Sequence, residues 1–195
     1  DANGRNDYGP TVALGGLTIG VTNLELTGAY ASIANEGIYQ EPIFYTKIED
    51  HDGNIVIDKT VDRETHQVIS KENAWLLTSA MQDVVNGGTG GAVKFNGMTI
   101  AGKTGTTSDD KDVWFVGYTP YYTAGVWAGY DIPTSKLKGT GEKNYHKKLW
   151  KSVMSRIHED LENKAFEKPE DIIQVAVCSE SGKLPVPGLC DMDQR

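Results

Sequence analysis

No stretch of this 195-residue chain approaches the ~20 consecutive apolar residues that a membrane-spanning helix needs, so a span within it is excluded. A charged, apolar, small-residue leader is missing from its start as well. The sequence opens abruptly at Asp1 in polar, glycine-containing residues, which makes a piece of a longer protein the expectation. Cysteine is scarce. Cys178 and Cys190 fit equally a disulfide closing a small loop outside the cell and two thiols inside it. No histidine stands at ligand spacing from either, which argues against zinc. Basic residues are outnumbered 19 to 27, for a net charge of -8, and they form no dense cluster. Nucleic acid is therefore not an expected partner. The longest basic run, His146-Lys147-Lys148, reads as the polar face of a helix.

What is present suffices for one folded domain. Hydrophobic residues make up 38% and tyrosine occurs nine times, which speaks for a packed core over a disordered tail. Residues 1–21 are glycine-rich and loop-like. Thr22 followed by Glu25 has the form of a capping box, opening a helix with Leu24, Leu26, Ala29, Tyr30, Ile33 and Ala34 that stops near Gly37. Residues 43–48 read as a strand, paired through the Asp52-Gly53 turn with Ile55-Val56-Ile57. Ser70 caps a second helix reaching about Asn86, with Leu77, Ala80, Met81, Val84 and Val85 at helical spacing. The Gly87-to-Gly91 cluster must end it and is read as a flexible helix exit in preference to the rim of a cleft.

Two strand-like runs follow, 113–118 and 123–130, joined at Thr119-Pro120-Tyr121. Both are apolar on both faces, which predicts strands covered by helices on each side. With the lysine segment before them they form a three-stranded antiparallel meander. The fold class is thus α/β of the α+β type. Residues 131–143 look like a loop. Leu149, Trp150, Val153, Met154, Ile157 and Leu161 mark an amphipathic helix that ends before Pro169 and covers the sheet. A last short strand is expected at 172–177, ahead of a turn-rich tail.

The stretch around which these elements gather is Ala101-Gly102-Lys103-Thr104-Gly105-Thr106-Thr107. One cation beside three hydroxyls and an open glycine backbone makes a receptor for a carboxylate or another anion. Gly97 to Thr104 also satisfies the phosphate-binding pattern G-x-x-x-x-G-K-[ST] letter for letter. That motif needs a loop opening into a helix, whereas the residues here are strand formers followed by a turn and another strand. A nucleotide site is the outside alternative. The other reading takes Lys103-Thr104-Gly105 as K-T-G on a strand, which together with S-x-x-K and S-D-N marks penicillin-interacting serine enzymes.

The surroundings carry this second reading. Gly9-Pro10, Ala13 to Leu17, Gly20-Val21-Thr22, Ala29-Tyr30-Ala31, Asn35-Glu36-Gly37, Gly88-Thr89-Gly90, Ala101 to Thr107, Asp112 to Pro120, and Val126-Trp127 with Gly129-Tyr130-Asp131 together resemble the transpeptidase domain of class A penicillin-binding proteins. The match is weakest from 132 to 148, where Tyr145-His146-Lys147-Lys148 stands in place of small residues, and returns at Ser181-Gly182-Lys183-Leu184.

The resemblance implies that residues 1–168 are the C-terminal part of a transpeptidase domain of penicillin-binding-protein and β-lactamase type, incomplete without upstream sequence, and that 169–195 are a terminal strand and tail. It implies serine acyl-enzyme chemistry on peptidoglycan stem peptides ending in D-Ala-D-Ala, acylation by β-lactams, no cofactor, and an extracytoplasmic place with the membrane anchor outside this chain. In that scheme Lys103 supplies positive charge and assists proton movement. Thr104 and Thr106 hold the substrate carboxylate, Gly105 lets the substrate lie against the strand, and the Thr106 N–H joins the oxyanion hole. Trp114 and Phe115 are expected in the core.

The nucleophile and the S-x-N group are expected upstream of Asp1. No S-x-N string occurs in the chain, and Ser108-to-Lys111 and Ser135-to-Lys138, its two S-x-x-K strings, lie after K-T-G in polar turns. The four histidines, His51, His66, His146 and His158, are read as a turn, a connector and a helix's polar side. Asp109, Asp110 and Asp112 are read as a solvated turn, since the remaining ligands of a calcium loop are missing. A non-catalytic β-lactam sensor, or a degenerate binding domain of the same fold, is the alternative.

Overall fold

Strand-forming residues after Ile100 build the centre of the molecule. A computed structural model describes residues 6, 8–18, 20–132, 135–186 and 192–194. Strands β5 (Ala101–Thr106), β6 (Asp112–Tyr118) and β7 (Thr123–Gly129) form the expected antiparallel meander in that order. Its register pairs Lys103 with Val116, Gly105 with Trp114, and Trp114 with Trp127. Before it in the chain come α1 (Asn23–Ala34) and four short strands: β1 (Ile38–Gln40), β2 (Lys47–Glu49), β3 (Ile55–Asp58) and β4 (Thr65–Gln67). These pair as β1 with β4 and β2 with β3. Then follows α2 (Lys71–Asn86). After the meander come α3 (Gly139–Ile157) and a terminal pair, β8 (Ala176–Cys178) with β9 (Met192–Gln194).

Strand alternation sends Phe115 to one face and Tyr118 to the other. On the first face Phe115 packs with Trp150 and Met154 of α3, and with Val85, Val93 and Ile100. On the second, Tyr118 packs with Met81 and Ala101 against Tyr30, Ile33 and Phe166. Helices therefore cover both faces. Because α2 gives Met81 to one cluster and Val85 to the other, it passes from face to face beside the start of β5. The Tyr118 hydroxyl sits 2.7 Å from Thr78 Oγ1. Since Thr78 already donates to the Ala74 carbonyl at 2.8 Å, Tyr118 donates to Thr78, and burial pushes its phenol pKa up. Helix α1 lies so close on β7 that a Cβ at Gly125 would meet Thr27 Oγ1 at 2.1 Å and Asn23 Oδ1 at 2.6 Å, and would have to displace both side chains.

The helix starts follow their local chemistry. Thr22 Oγ1 accepts from the Glu25 N–H at 3.2 Å, and Glu25 Oε2 accepts from the Thr22 N–H at 2.7 Å. This is the reciprocal capping box, and the Thr22 N–H bond holds the Glu25 carboxyl below its ordinary pKa. Ser70 accepts from the Asn73 N–H at the start of α2.

Other expectations are corrected. Residues 43–46 are not strand, and the hairpin begins only at Lys47. Strands β1 and β4 are each three residues long, too short to leave an alternation signal. Pro10–Leu14 forms a 3₁₀ helix within the segment read as loop. The strand expected at 172–177 begins only at Ala176. Cys190 lies outside the described residues.

The largest correction is α3. It starts at Gly139 inside the segment read as loop, and it ends at Ile157, well before Pro169. Its core side is His146, Trp150, Met154 and then His158, while Leu149, Val153 and Ile157 are 38–48% exposed. Leu77 on α2 is likewise 47% exposed, and Thr78 takes the buried position. In both helices the sheet selects a face rotated from the most apolar one.

His158 is fully partnered. Its Nδ1 donates to the Met154 carbonyl at 2.6 Å, and its Nε2 shares a hydrogen bond with Thr119 Oγ1 at 2.8 Å. His146 Nδ1, by contrast, is buried without a partner. Burial, and secondly the Lys147 charge, lower its pKa from 6.5 to about 4. The folded state therefore refuses a proton that the unfolded chain accepts. Stability is complete above pH 6.5, falls as the pH drops toward 4, and is level below that. We expect a loss of about 1 to 2 kcal/mol across this window. Urea denaturation at successive pH values checks this. His146→Leu should remove that component of the slope, and an unchanged slope would show that another group causes it.

Candidate active site

The Lys103 segment occupies an edge strand, and the edge determines what it offers. In β5 the N–H and C=O of one residue point to the same side of the strand, and the next residue's point to the other. The Thr107 N–H donates to the Asp112 carbonyl at 3.1 Å, so the odd-numbered residues turn their backbone groups toward β6. Those of Thr104 and Thr106 are thereby turned to the open side. The Lys103 ammonium agrees with this: it curls onto the edge and donates to the Thr104 carbonyl at 2.9 Å. The cation and the Thr106 N–H thus converge on one edge.

Side chains alternate in the other sense. Lys103 and Gly105 share the face of Ala101 and Tyr118, and Thr104 and Thr106 share the face of Phe115. A bound group that straddles the edge meets both sets. Lys103 and Thr106 are exposed, and Thr104 and Gly105 are half-buried. Gly102, just before the lysine, is fixed by sterics: a Cβ there would meet Phe115 Cζ at 2.6 Å and Gly117 Cα at 2.9 Å. At Gly105 a Cβ would lie 3.3 Å from Trp114 Cβ, filling the space in front of that ring.

Of the three threonine hydroxyls, one serves the scaffold. Thr107 Oγ1 accepts from the Asp112 N–H at 2.9 Å and bonds its carboxylate at 3.2 Å. The same carboxylate accepts from Trp127 Nε1 at 3.0 Å. Asp112 thus ties β5, β6 and β7 together at the end of the sheet where β5 emerges. The neighbouring acidic residues are also engaged, Asp109 with Lys136 at 3.1 Å and Asp110 with Lys143 at 2.6 Å. Both aspartates have positive φ, 67° and 56°, a left-handed backbone that Asp tolerates better than most residues.

Phe115 is core, 0% exposed. Trp114 is not. It is half-buried on the lysine face, with its ring 6.5 Å from that of Trp127, and it floors the strip beside Gly105. The phosphate-binding pattern has no matching structure, because β5 runs straight through Gly102-Lys103-Thr104. Ser108 lies in the β5–β6 turn, and Ser135 lies in the segment before α3; neither opens a buried helix.

One residue of the site was not singled out from the sequence. The Thr89 hydroxyl sits 2.7 Å from that of Thr104. The signal was a lone hydroxyl between glycines, in a cluster read as a helix exit. The structure makes it a helix exit whose hydroxyl also reaches the lysine strand. The cavity lined by Ile33, Trp75, Thr78 and Phe166 lies toward the opposite end of the sheet and touches none of these groups.

Residues 6–157 match the family described as penicillin binding protein transpeptidase domain. The chain is 35% identical over 170 residues to penicillin-binding protein 1A of Clostridium perfringens, an alignment covering 87% of this chain and 20% of that protein. It is 45% identical over 130 residues to penicillin-binding protein 4 of Bacillus subtilis, covering 67% of this chain and 20% of that protein. The chain thus spans about a fifth of the length of these relatives. Its fold matches the structure of penicillin-binding protein PonA1 from Mycobacterium tuberculosis with a TM-score of 0.74 at 28% identity, over 83% of this chain and 44% of that one.

Proposed function

The chain belongs to the penicillin-binding protein transpeptidase family, and from that membership and the geometry of β5 we propose that it forms one wall of a serine-type D-Ala-D-Ala transpeptidase site. The observation that carries the reading is the convergence of the Lys103 ammonium and the outward Thr106 N–H on one open strand edge. A stem peptide, or a β-lactam in its place, lies along that edge. Its carboxylate meets Lys103 and the Thr104 and Thr106 hydroxyls, and its reacting carbonyl oxygen meets the Thr106 N–H, where negative charge develops. Gly105 leaves room for its backbone over Trp114.

The attacking serine comes from a part of the protein outside these residues. It forms an acyl-enzyme with loss of D-alanine, and an amine of a second stem peptide resolves it. Apolar surface agrees with a partner segment of the same domain: Leu24 on α1 and Leu76 and Leu77 on α2 are about half exposed. This chemistry needs no cofactor. It takes place outside the cytoplasm, where peptidoglycan is cross-linked, with the anchor in another part of the protein; among the described residues no helix is long and apolar enough to cross a membrane.

Mapping a fluorescent penicillin on the full-length protein tests the reading. Peptide mass spectrometry should place the adduct on a serine outside residues 1–195, and residues 1–195 alone should stay unlabelled. An adduct on Ser108 or Ser135 would overturn the division of the site. No covalent adduct at all would favour a non-catalytic binding domain.

A further inference from the structure

Thr89 reaches the site from a loop built to hold it still. A Cβ at Gly88 would meet the Val84 carbonyl oxygen at 2.9 Å, and one at Gly90 would meet it at 3.1 Å. The Gly90 N–H donates to that same carbonyl at 2.9 Å, and the Val93 N–H donates to the Gly90 carbonyl at 3.0 Å. The loop is therefore folded tightly back on the end of α2, and it presents Thr89 to Thr104 at 2.7 Å.

Two hydroxyls at that distance share one proton between them, and the other proton is left to point elsewhere. If Thr104 donates to Thr89, its oxygen lone pairs face the edge and repel an anion. If Thr89 donates to Thr104, the Thr104 proton is released toward the edge. A carboxylate held by Lys103 favours the second arrangement, and each bond in such a chain polarises the next.

We propose that Thr89 is a positioning residue, whose hydroxyl donates to Thr104 Oγ1 and thereby turns the Thr104 proton onto the carboxylate of substrate or β-lactam. This rests on the transpeptidase reading of the same edge. Thr89 touches no substrate and acts through Thr104 alone.

The test uses the full-length protein, a fluorescent penicillin and the methyl ester of that penicillin, each at a concentration that gives a measurable acylation rate. Thr89→Val keeps the shape of the side chain and removes the donor. We expect it to slow acylation by the free acid roughly fivefold, as for one lost hydrogen bond between neutral groups, and to leave the rate with the ester unchanged. Thr89→Ser should restore the preference for the free acid. An unchanged acid-to-ester ratio in Thr89→Val would overturn the proposal, whether both rates hold or both fall, since a loosened loop slows the two alike. Lys103→Ala keeps the two claims apart. If it retains full labelling, the site itself is misplaced. If it loses labelling while the Thr89→Val ratio stays unchanged, only the role of Thr89 fails.

Discussion

Full-length protein carrying Lys103→Ala will react with a fluorescent penicillin about a hundred times more slowly than the unaltered protein, or slower still. The estimate follows from the position of the ammonium. It lies on the open edge of β5, 2.9 Å from the Thr104 carbonyl, beside the outward-turned N–H groups of that strand. Removing one preorganised donor from such a site typically lowers the rate by ~10²–10³, and this donor also carries the local positive charge. The side chain is exposed, so its removal leaves the sheet intact and the loss falls on acylation, with thermal stability held. Acylation kinetics beside a melting curve separate the two effects. Undiminished labelling of Lys103→Ala would remove the reason for placing the site on β5.

The second large effect is on stability. Trp150 is 1% exposed, and its Nε1 donates to the Ala124 carbonyl at 2.9 Å. Its ring meets Phe115 edge-on with centroids 5.0 Å apart. Trp150→Ala removes a large buried ring, leaves a cavity against Phe115 and takes one donor from that carbonyl. We expect a loss of about 4 kcal/mol in urea denaturation, a large part of the ~5–15 kcal/mol that holds a domain together. Trp150→Phe, which keeps most of the ring, should lose less than half of that. Because Phe115 is the cross-strand neighbour of Thr104, the alanine variant should also slow acylation at temperatures where it remains folded. A loss below ~1 kcal/mol would mean that α3 contributes little to the sheet.

The parts of the fold that could be read in advance are those governed by local rules. Thr22 with Glu25, and Ser70, announced their helices because a cap needs only a side chain and an N–H within one turn. The meander was legible because β6 and β7 are each seven residues long, apolar after their first residue and joined by a tight turn. Helix α3 was harder. Its apolar residues show that it is a helix, but the choice of face belongs to the sheet, which buries His146 and His158 and leaves Val153 outside. The same holds for Trp114 and Phe115: adjacent and both aromatic, they are separated by strand alternation into one ring on the lysine face and one in the core.

By itself the sequence determined the family, the central meander and the lysine strand, through residue types whose order alone carries the chemistry. Tertiary structure decided which groups of that strand lie together. Pairing with β6 turns the Thr104 and Thr106 backbone outward, and alternation parts the lysine from the threonine hydroxyls. Packing of the glycine loop on α2 brings Thr89 to Thr104 across fifteen positions of sequence. These are relations between distant segments, set by hydrogen-bond register and close contact, and no short window of residues contains them.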